Sequence, residues 1–237
     1  EFNRLFNAIF GNPEDCKKII RLLAKKHVGF TREEIAKETG LPFGGGLTDT
    51  LNALVESDFI QRYRPYNVSG KVSFYKLIDN FSLFWLKYVE PNTEDINFMT
   101  DNMTSNIMRV WRGVAFEEVC WQHIGQIKRA LGISGVSSSI SAWSVKGNDN
   151  KEGVQIDLLI IRNDNVVNLC EMKFAGDIYS IDKEEDAKIR NRIQTLINTL
   201  SPKQSVHLTM ITTYGASHTM YGGRVQQQVI LDDLFLS

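Results

Sequence analysis

The sequence is poor in cysteine and proline and carries almost no net charge. Its 237 residues include three cysteines and five prolines, and the formal net charge is −1 at pH 7. Three widely separated cysteines within apolar patterns predict buried free thiols, which suits a reducing compartment, rather than disulfides or a zinc site. A nearly neutral chain has no global field that attracts nucleic acid, so any such contact has to come from a local basic patch.

Long apolar runs are missing as well. No stretch approaches the roughly 20 apolar residues of a membrane-spanning helix, and no signal peptide opens the chain. We therefore expect a cytoplasmic protein with no membrane partner. The chain begins Glu1-Phe2-Asn3 without a methionine, from which we expect a piece of a longer protein.

The first third of the chain predicts a small helical domain closed by a hairpin. Apolar periodicity predicts helices over residues 13–24 and 47–57, and Thr31 followed by Glu34 is the pattern of a capping box that opens a helix ending at Thr39. Two β-like runs, 59–66 and 71–78, flank a turn sequence at 67–70. This order is typical of a winged-helix domain, which we expect over residues 13–79, followed by a helix and linker over 80–104.

The third helix of this domain has the wrong charge for reading DNA. Residues 48–58 contain three acids and neither Lys nor Arg, whereas phosphate contacts from basic side chains dominate DNA affinity. The hairpin offers Arg62, Arg64 and Lys71 as candidate nucleic-acid contacts. The alternative is that the domain packs against or relays between its neighbours.

The second half predicts a sheet flanked by helices over residues 105–237. We expect a long helix over 105–131, a hairpin, a charged helix over about 182–200, and strands at 205–213 and 225–231. Strands and helices in this order predict a mixed α/β sheet, which makes the chain α+β overall.

The strongest chemical signal lies in the hairpin at residues 153–174. Gln155 and Asp157 share one face of its first strand, and Glu171 and Lys173 share one face of its second. If the loop is the three residues 163–165, Asp157 lies opposite Glu171 with Cβ atoms about 5 Å apart. A loop one residue longer or shorter would put the two carboxylates on opposite faces.

These residue types suit a metal centre. Two carboxylates this close repel each other unless a cation lies between them, and hard oxygen ligands select Mg²⁺ or Mn²⁺. Lys173 can stabilise an attacking water or the charge that builds on a phosphate. Helical periodicity adds Glu117 as a third inward carboxylate and points Glu118 away. The alternative is a solvated strand with a cross-strand ion pair.

Three segments carry a resemblance to a known family. Residues 111–136, 155–160 and 168–174 resemble the C-terminal region of bacterial and archaeal AAA+ ATPases that carry a PD-(D/E)xK nuclease-like domain. The resemblance implies a restriction-endonuclease-like sheet after a winged helix. It places the nuclease motif on Glu117, Asp157, Glu171 and Lys173, with Gln155 beside them.

The resemblance also implies a basic residue in the following helix and a partner domain. Lys188 and Arg192 are the two candidates for the basic position. Residues 1–12 resemble the end of the ATPase lid, so the chain's own N-terminal AAA+ ATPase domain is the implied partner. The pattern G-x-x-x-x-G-K-[ST] is absent, and Gly44–Gly46 lacks the Lys and the preceding strand, so we expect a turn there and no ATP binding.

Three hypotheses follow. The first is a Mg²⁺-dependent DNA nuclease attached to a winged helix. The second is a nuclease-like fold that binds DNA or protein and regulates the ATPase without catalysis. The third is a winged-helix transcription regulator, against which the acidic third helix argues. The sequence predicts no oligomeric state.

Overall fold

The chain forms two compact units, which are described separately. The computed structural model describes residues 1–66, 72–145, 147, 153–217 and 221–236. The first unit comprises Glu1–Arg64 and Ser69–Trp111, and the second comprises Pro65–Val68 and Arg112–Ser237. The domain limits expected at residues 12, 79 and 104 stay predictions. In the described part of the chain, no helix has the length and apolar character needed to cross a membrane.

The first unit combines helices with a small antiparallel sheet, whose strand order is β1-β3-β2. A π-helical turn, Trp85–Val89, and a 3-10 turn, Glu90–Asn92, follow its fifth helix. Its helices and strands, in chain order, are α1 Phe2–Ile9, α2 Pro13–Leu23, β1 Phe30–Thr31, α3 Arg32–Thr39, α4 Gly45–Glu56, β2 Ile60–Tyr63, β3 Phe74–Leu77, α5 Asn80–Phe84 and α6 Phe98–Asn102.

The helix starts follow from local capping. The Thr31 hydroxyl accepts from the Glu34 N–H, and the Glu34 carboxylate accepts from the Thr31 N–H at 2.7 Å, so the predicted capping box is confirmed. The prediction of a turn at Gly44–Gly46 is wrong, because Gly44 is the N-cap of α4 and the helix already begins at Gly45. The glycines Gly45 and Gly46 can open this helix because residues 47–56 supply its apolar face.

Aromatic residues of α1 build much of the core of this unit. Phe2 and Phe6 are buried with Ile20 and Leu51 in one cluster, and the Phe6 ring lies 5.1 Å from that of Phe59. The paired strands expected from the sequence are present as β2 and β3, with Ile60 opposite Leu77. The turn expected at 67–70 and the candidate contact Lys71 lie outside the described residues.

The second unit contains a five-stranded mixed sheet among its described residues. The order is β4-β5-β6-β7-β8, in which β4, β5 and β6 are antiparallel neighbours and β6, β7 and β8 are parallel ones. The expected mixed sheet with flanking helices is confirmed. Its elements are α7 Asn106–Gln122, which starts in the first unit, α8 Ile124–Ala130, β4 Ser138–Val145, β5 Val154–Arg162, β6 Val166–Lys173, α9 Lys183–Ile197, β7 Ser205–Thr212 and β8 Gln227–Ile230.

Two expectations for this unit need correction. The single helix expected over 105–131 is wrong, because α7 ends at Gln122 and His123 leaves helical geometry (φ −110°, ψ 29°) before α8 begins. Strand β4 was not expected. Its burial does not alternate, and its pairing with β5 shifts between Ser141 and Trp143, so the period-two pattern of a strand is lost.

Helix α9 packs on one face of the sheet. Its Ile189 and Leu196 share a buried cluster with Leu159, Leu169 and Met210 of β5, β6 and β7. Cysteines 16, 120 and 170 are free and buried, as expected from their apolar surroundings.

Candidate functional site

The β5–β6 hairpin has the predicted register. Ile161 pairs with Val167, and the ladder runs on to Leu158 opposite Cys170. The connecting turn is Asn163–Asn165, and Asn165 adopts φ 66°, a left-handed conformation that asparagine tolerates better than most residues. Asp157 and Glu171 occupy the positions directly after the last pair.

Asp157 is held by contacts to its side chain and to its backbone. The Gln155 amide donates from Nε2 to Asp157 Oδ1 at 2.6 Å. The Trp121 indole N–H, on α7, donates to the Asp157 carbonyl at 3.2 Å. A carboxylate oxygen of Glu117, one helical turn before Trp121, lies within 4.8 Å of one of Asp157. The structure therefore brings the helix carboxylate close to the strand carboxylate.

Glu118 was expected to point away from the inward stripe of this helix. Its side chain is fully buried (0% exposed), whereas Glu117 is half-buried. A single apolar stripe was assumed for this helix, but α7 is covered on more than one side, so adjacent residues are both shielded from solvent.

Glu171 is a buried carboxyl with a strongly shifted pKa. Glu171 is only 7% exposed. Arg192 Nη1 lies 2.9 Å from Oε1, and Lys173 Nζ lies 4.0 Å from Oε2. Burial raises the pKa of Glu171 to about 7, and the charges of Glu185 and Asp157 add to the rise, while Arg192 and Lys173 oppose it.

Lys173 is the second charged group that β6 brings to this place. Burial acts to lower its pKa, but a hydrogen bond to Glu185 and the charge of Glu171 raise the pKa overall, so the ammonium is retained. Its Nζ lies 2.8 Å from Glu185 Oε1. Sequence reasoning missed Glu185. The acidic first turn of α9, capped by Asp182, was the available signal.

Arg192, not Lys188, is the basic residue of α9 that reaches the carboxylates. Besides its contact to Glu171, its Nε donates to the Gln155 carbonyl at 3.1 Å. Lys188 instead lines a groove beside the site. Arg62 and Arg64 belong to the first unit and are exposed there.

The donor set fits a hard divalent cation. Carboxylate oxygens come from Glu117 and Asp157, and the Glu171 carboxyl lies close enough for Asp157 to raise its pKa. A buried carboxyl that resists ionisation near neutral pH becomes an anionic ligand when a cation supplies the missing charge. Oxygen ligands of this kind are those of Mg²⁺ and Mn²⁺.

Comparison with known proteins yields a distant relative. No family model matches the chain. The uncharacterized protein MJECL04 of Methanocaldococcus jannaschii is 27% identical over 170 residues, which cover 70% of this chain and 36% of that protein. The chain thus spans about a third of the length of the relative that it matches.

Proposed function

We propose that the second unit is a Mg²⁺- or Mn²⁺-dependent DNA nuclease of the PD-(D/E)xK type. The observation that carries the proposal is the shared end of the β5–β6 hairpin, where Asp157 and Glu171 follow the last strand pair and Lys173 approaches Glu171. The mixed sheet with α7 and α9 beside it agrees with the fold that such nucleases use.

Each side chain has a distinct task in this proposal. Asp157 and Glu171, with help from Glu117, would hold the metal, which when bound lowers the pKa of a water and neutralises charge on a phosphodiester. Lys173 keeps its proton and presents a positive charge to the attacking water or to the phosphate oxygens. Gln155 holds the Asp157 carboxylate in one orientation through its 2.6 Å hydrogen bond.

A second candidate function is supported by the ion pairs at the site. Glu171 pairs with Arg192, and Lys173 pairs with Glu185, so the two motif residues of β6 already have charge partners. Such a network also stabilises a nuclease-like fold that has become a binding or regulatory module. In this alternative the unit joins a partner protein or a DNA end to an ATPase.

The first unit supports a winged helix within the same proposal. Helices α2, α3 and α4 precede the antiparallel strands β2 and β3. Because α4 carries Asp49 and Glu56 but no Lys or Arg, a packing role suits it better than major-groove reading. The resemblance given above supports an AAA+ ATPase domain as the partner.

Metal binding distinguishes the two functions. We would titrate Mn²⁺ into the wild-type chain and into Asp157→Asn by calorimetry above pH 7. Asp164→Asn is the matched control, because Asp164 lies in the turn of the same hairpin and pairs with Arg162. A nuclease centre binds Mn²⁺ in the wild type and the control but not in Asp157→Asn. Absence of Mn²⁺ binding in all three proteins favours the regulatory module.

A further inference from the structure

A groove lined mainly by residues with polar side chains runs along α9 in the second unit. It encloses about 860 Å³, and its other wall is formed by Gly153 and the first two residues of β5, Val154 and Gln155. Among the described residues that line it, none is aromatic. Its α9 side is formed by Lys188, Asn191, Arg192, Gln194, Thr195 and Asn198.

These side chains form a row of hydrogen-bond donors. Gln194 Nε2 donates to Asn198 Oδ1 at 3.2 Å, and Thr195 Oγ1 donates to Asn191 Oδ1 at 3.5 Å. Because both asparagine oxygens accept from neighbours on the helix, their amide N–H groups are the atoms suited to a ligand. Lys188 adds a full positive charge. The acidic Glu184 lies at the N-terminal end of this row.

Donors of this kind match a sugar–phosphate backbone. Side chains such as Lys, Arg, Asn, Gln and Thr donate hydrogen bonds to phosphate and sugar oxygens, and these contacts position a duplex without reading its sequence. Binding of splayed single-stranded bases instead uses aromatic side chains on which the bases stack.

The groove is continuous with the carboxylate site. Gln155 lines the groove and donates to Asp157. Arg192 also lines it, and its guanidinium contacts both the Gln155 carbonyl and the Glu171 carboxylate. A DNA strand that lies in the groove would therefore reach Asp157 and Glu171 at one end of the groove.

We propose that this groove holds the backbone of a DNA duplex next to the phosphodiester that reacts, and that it does so without base recognition. The inference rests on the proposed nuclease function for its choice of ligand. Lys188 makes a phosphate contact, and Asn191 and Asn198 donate to backbone oxygens. Affinity is then independent of sequence and falls with salt in proportion to the number of phosphates that basic side chains contact.

Fluorescence anisotropy with a labelled DNA duplex tests the proposal, in EDTA so that no hydrolysis occurs. Lys188→Ala is expected to weaken binding about tenfold and to reduce the slope of log affinity against log salt by about one. The double variant Asn191→Ala/Asn198→Ala weakens binding with the wild-type slope, because no charge is lost. Both losses are the same for two duplexes of unrelated sequence.

Lys183→Ala is the matched control. Lys183 is exposed on the same helix but does not line the groove, so its removal leaves affinity near that of the wild type. The proposal is overturned if Lys188→Ala binds as Lys183→Ala does, or if the wild-type chain binds no duplex.

Cleavage assays on the same variants separate this proposal from the nuclease proposal. If Lys188→Ala binds weakly and Mg²⁺ or Mn²⁺ yields no cleavage by the wild type, the groove assignment stands and the nuclease proposal fails. If cleavage requires Asp157 while Lys188→Ala binds and cleaves like the control, the groove assignment fails alone.

Discussion

Arg192 Nη1 donates a hydrogen bond to Oε1 of Glu171 at 2.9 Å, which ties α9 to the buried carboxyl of β6. The guanidinium charge opposes the effect of burial on the pKa of Glu171, which nevertheless rises to about 7. Ionisation of Glu171, the buried carboxyl of the proposed metal site, therefore depends on a residue of another element.

Removal of this arginine is expected to shift metal binding to higher pH. In Arg192→Ala the pKa of Glu171 rises further, because the largest opposing charge is lost. Since metal binding needs the deprotonated carboxylate, the midpoint of Mn²⁺ affinity against pH moves upward. Calorimetry across the pH range measures this midpoint. Lys188→Ala, which removes another α9 cation, is expected to keep the wild-type midpoint, and an unshifted midpoint in Arg192→Ala would refute the assignment.

Glu171 is expected to make the metal-free protein less stable as pH rises. Folding raises its pKa from 4.5 to about 7. The stabilisation of the folded state that this shift provides is therefore fully present below pH 4.5 and is lost as pH rises through 7. The difference corresponds to roughly 3 kcal/mol in the free energy of unfolding. Glu171→Gln should remove this decline and be more stable than the wild type above pH 7, as measured by urea denaturation.

Glu14→Gln serves as the control for this experiment. The exposed Glu14 pairs with Lys17, and the hydrogen bond to Lys17 lowers the pKa of Glu14, whereas burial raises the pKa of Glu171. The decline toward pH 7 should therefore persist in this variant. A wild-type stability that rises between pH 4.5 and 7 while Glu171→Gln is flat would contradict the burial argument.

Lys173 is expected to act on the rate of hydrolysis and not on metal affinity. Lys173→Met keeps the length of the side chain but removes the charge that faces the water or phosphate, so cleavage should slow by about 10²- to 10³-fold. Mn²⁺ affinity should be retained or increased, because a neighbouring cation is gone. Parallel calorimetry and cleavage assays measure both effects. If Lys173→Met loses Mn²⁺ binding while the cleavage rate of the metal-bound protein is unchanged, the role of Lys173 is structural instead.

A pair of glycines in the first unit tests the local geometry of its fold. Gly29 has φ 76°, and a Cβ built there would lie 2.0 Å from the Tyr75 carbonyl oxygen on β3. Gly40 has φ 70°, but apart from its own chain neighbours no described residue has an atom within 4 Å of such a Cβ. Gly40→Ala should cost about 1 kcal/mol for the left-handed backbone alone. Gly29→Ala should cost about 3 kcal/mol or more in thermal or urea unfolding, and equal costs would refute the close approach.

The hairpin could be predicted because local rules determine it. A three-residue turn and a period of two residues per strand set the register of β5 on β6, and the turn at Asn163–Asn165 satisfied both. The capping box of α3 was likewise readable because all its atoms belong to Thr31 and Glu34. The mixed sheet followed from the order of its elements.

The remaining parts depend on contacts distant in sequence. To choose between Lys188 and Arg192 one must know which face of α9 is turned toward β6, and helical periodicity does not determine this. Pairing of Lys173 with Glu185 depends on the same packing. Burial of Glu118 reflects cover of α7 on a second side. Strand β4 was missed because its partner β5, and not its own alternation, makes it a strand.

The most direct test of the account is cleavage of supercoiled plasmid DNA by the purified chain in Mg²⁺ or Mn²⁺. The account predicts metal-dependent nicking by the wild type and by Asp164→Asn, with a loss of about 100-fold or more in Asp157→Asn. Nicking that persists at the wild-type rate in Asp157→Asn, or a wild type that does not cut with either metal, would contradict it.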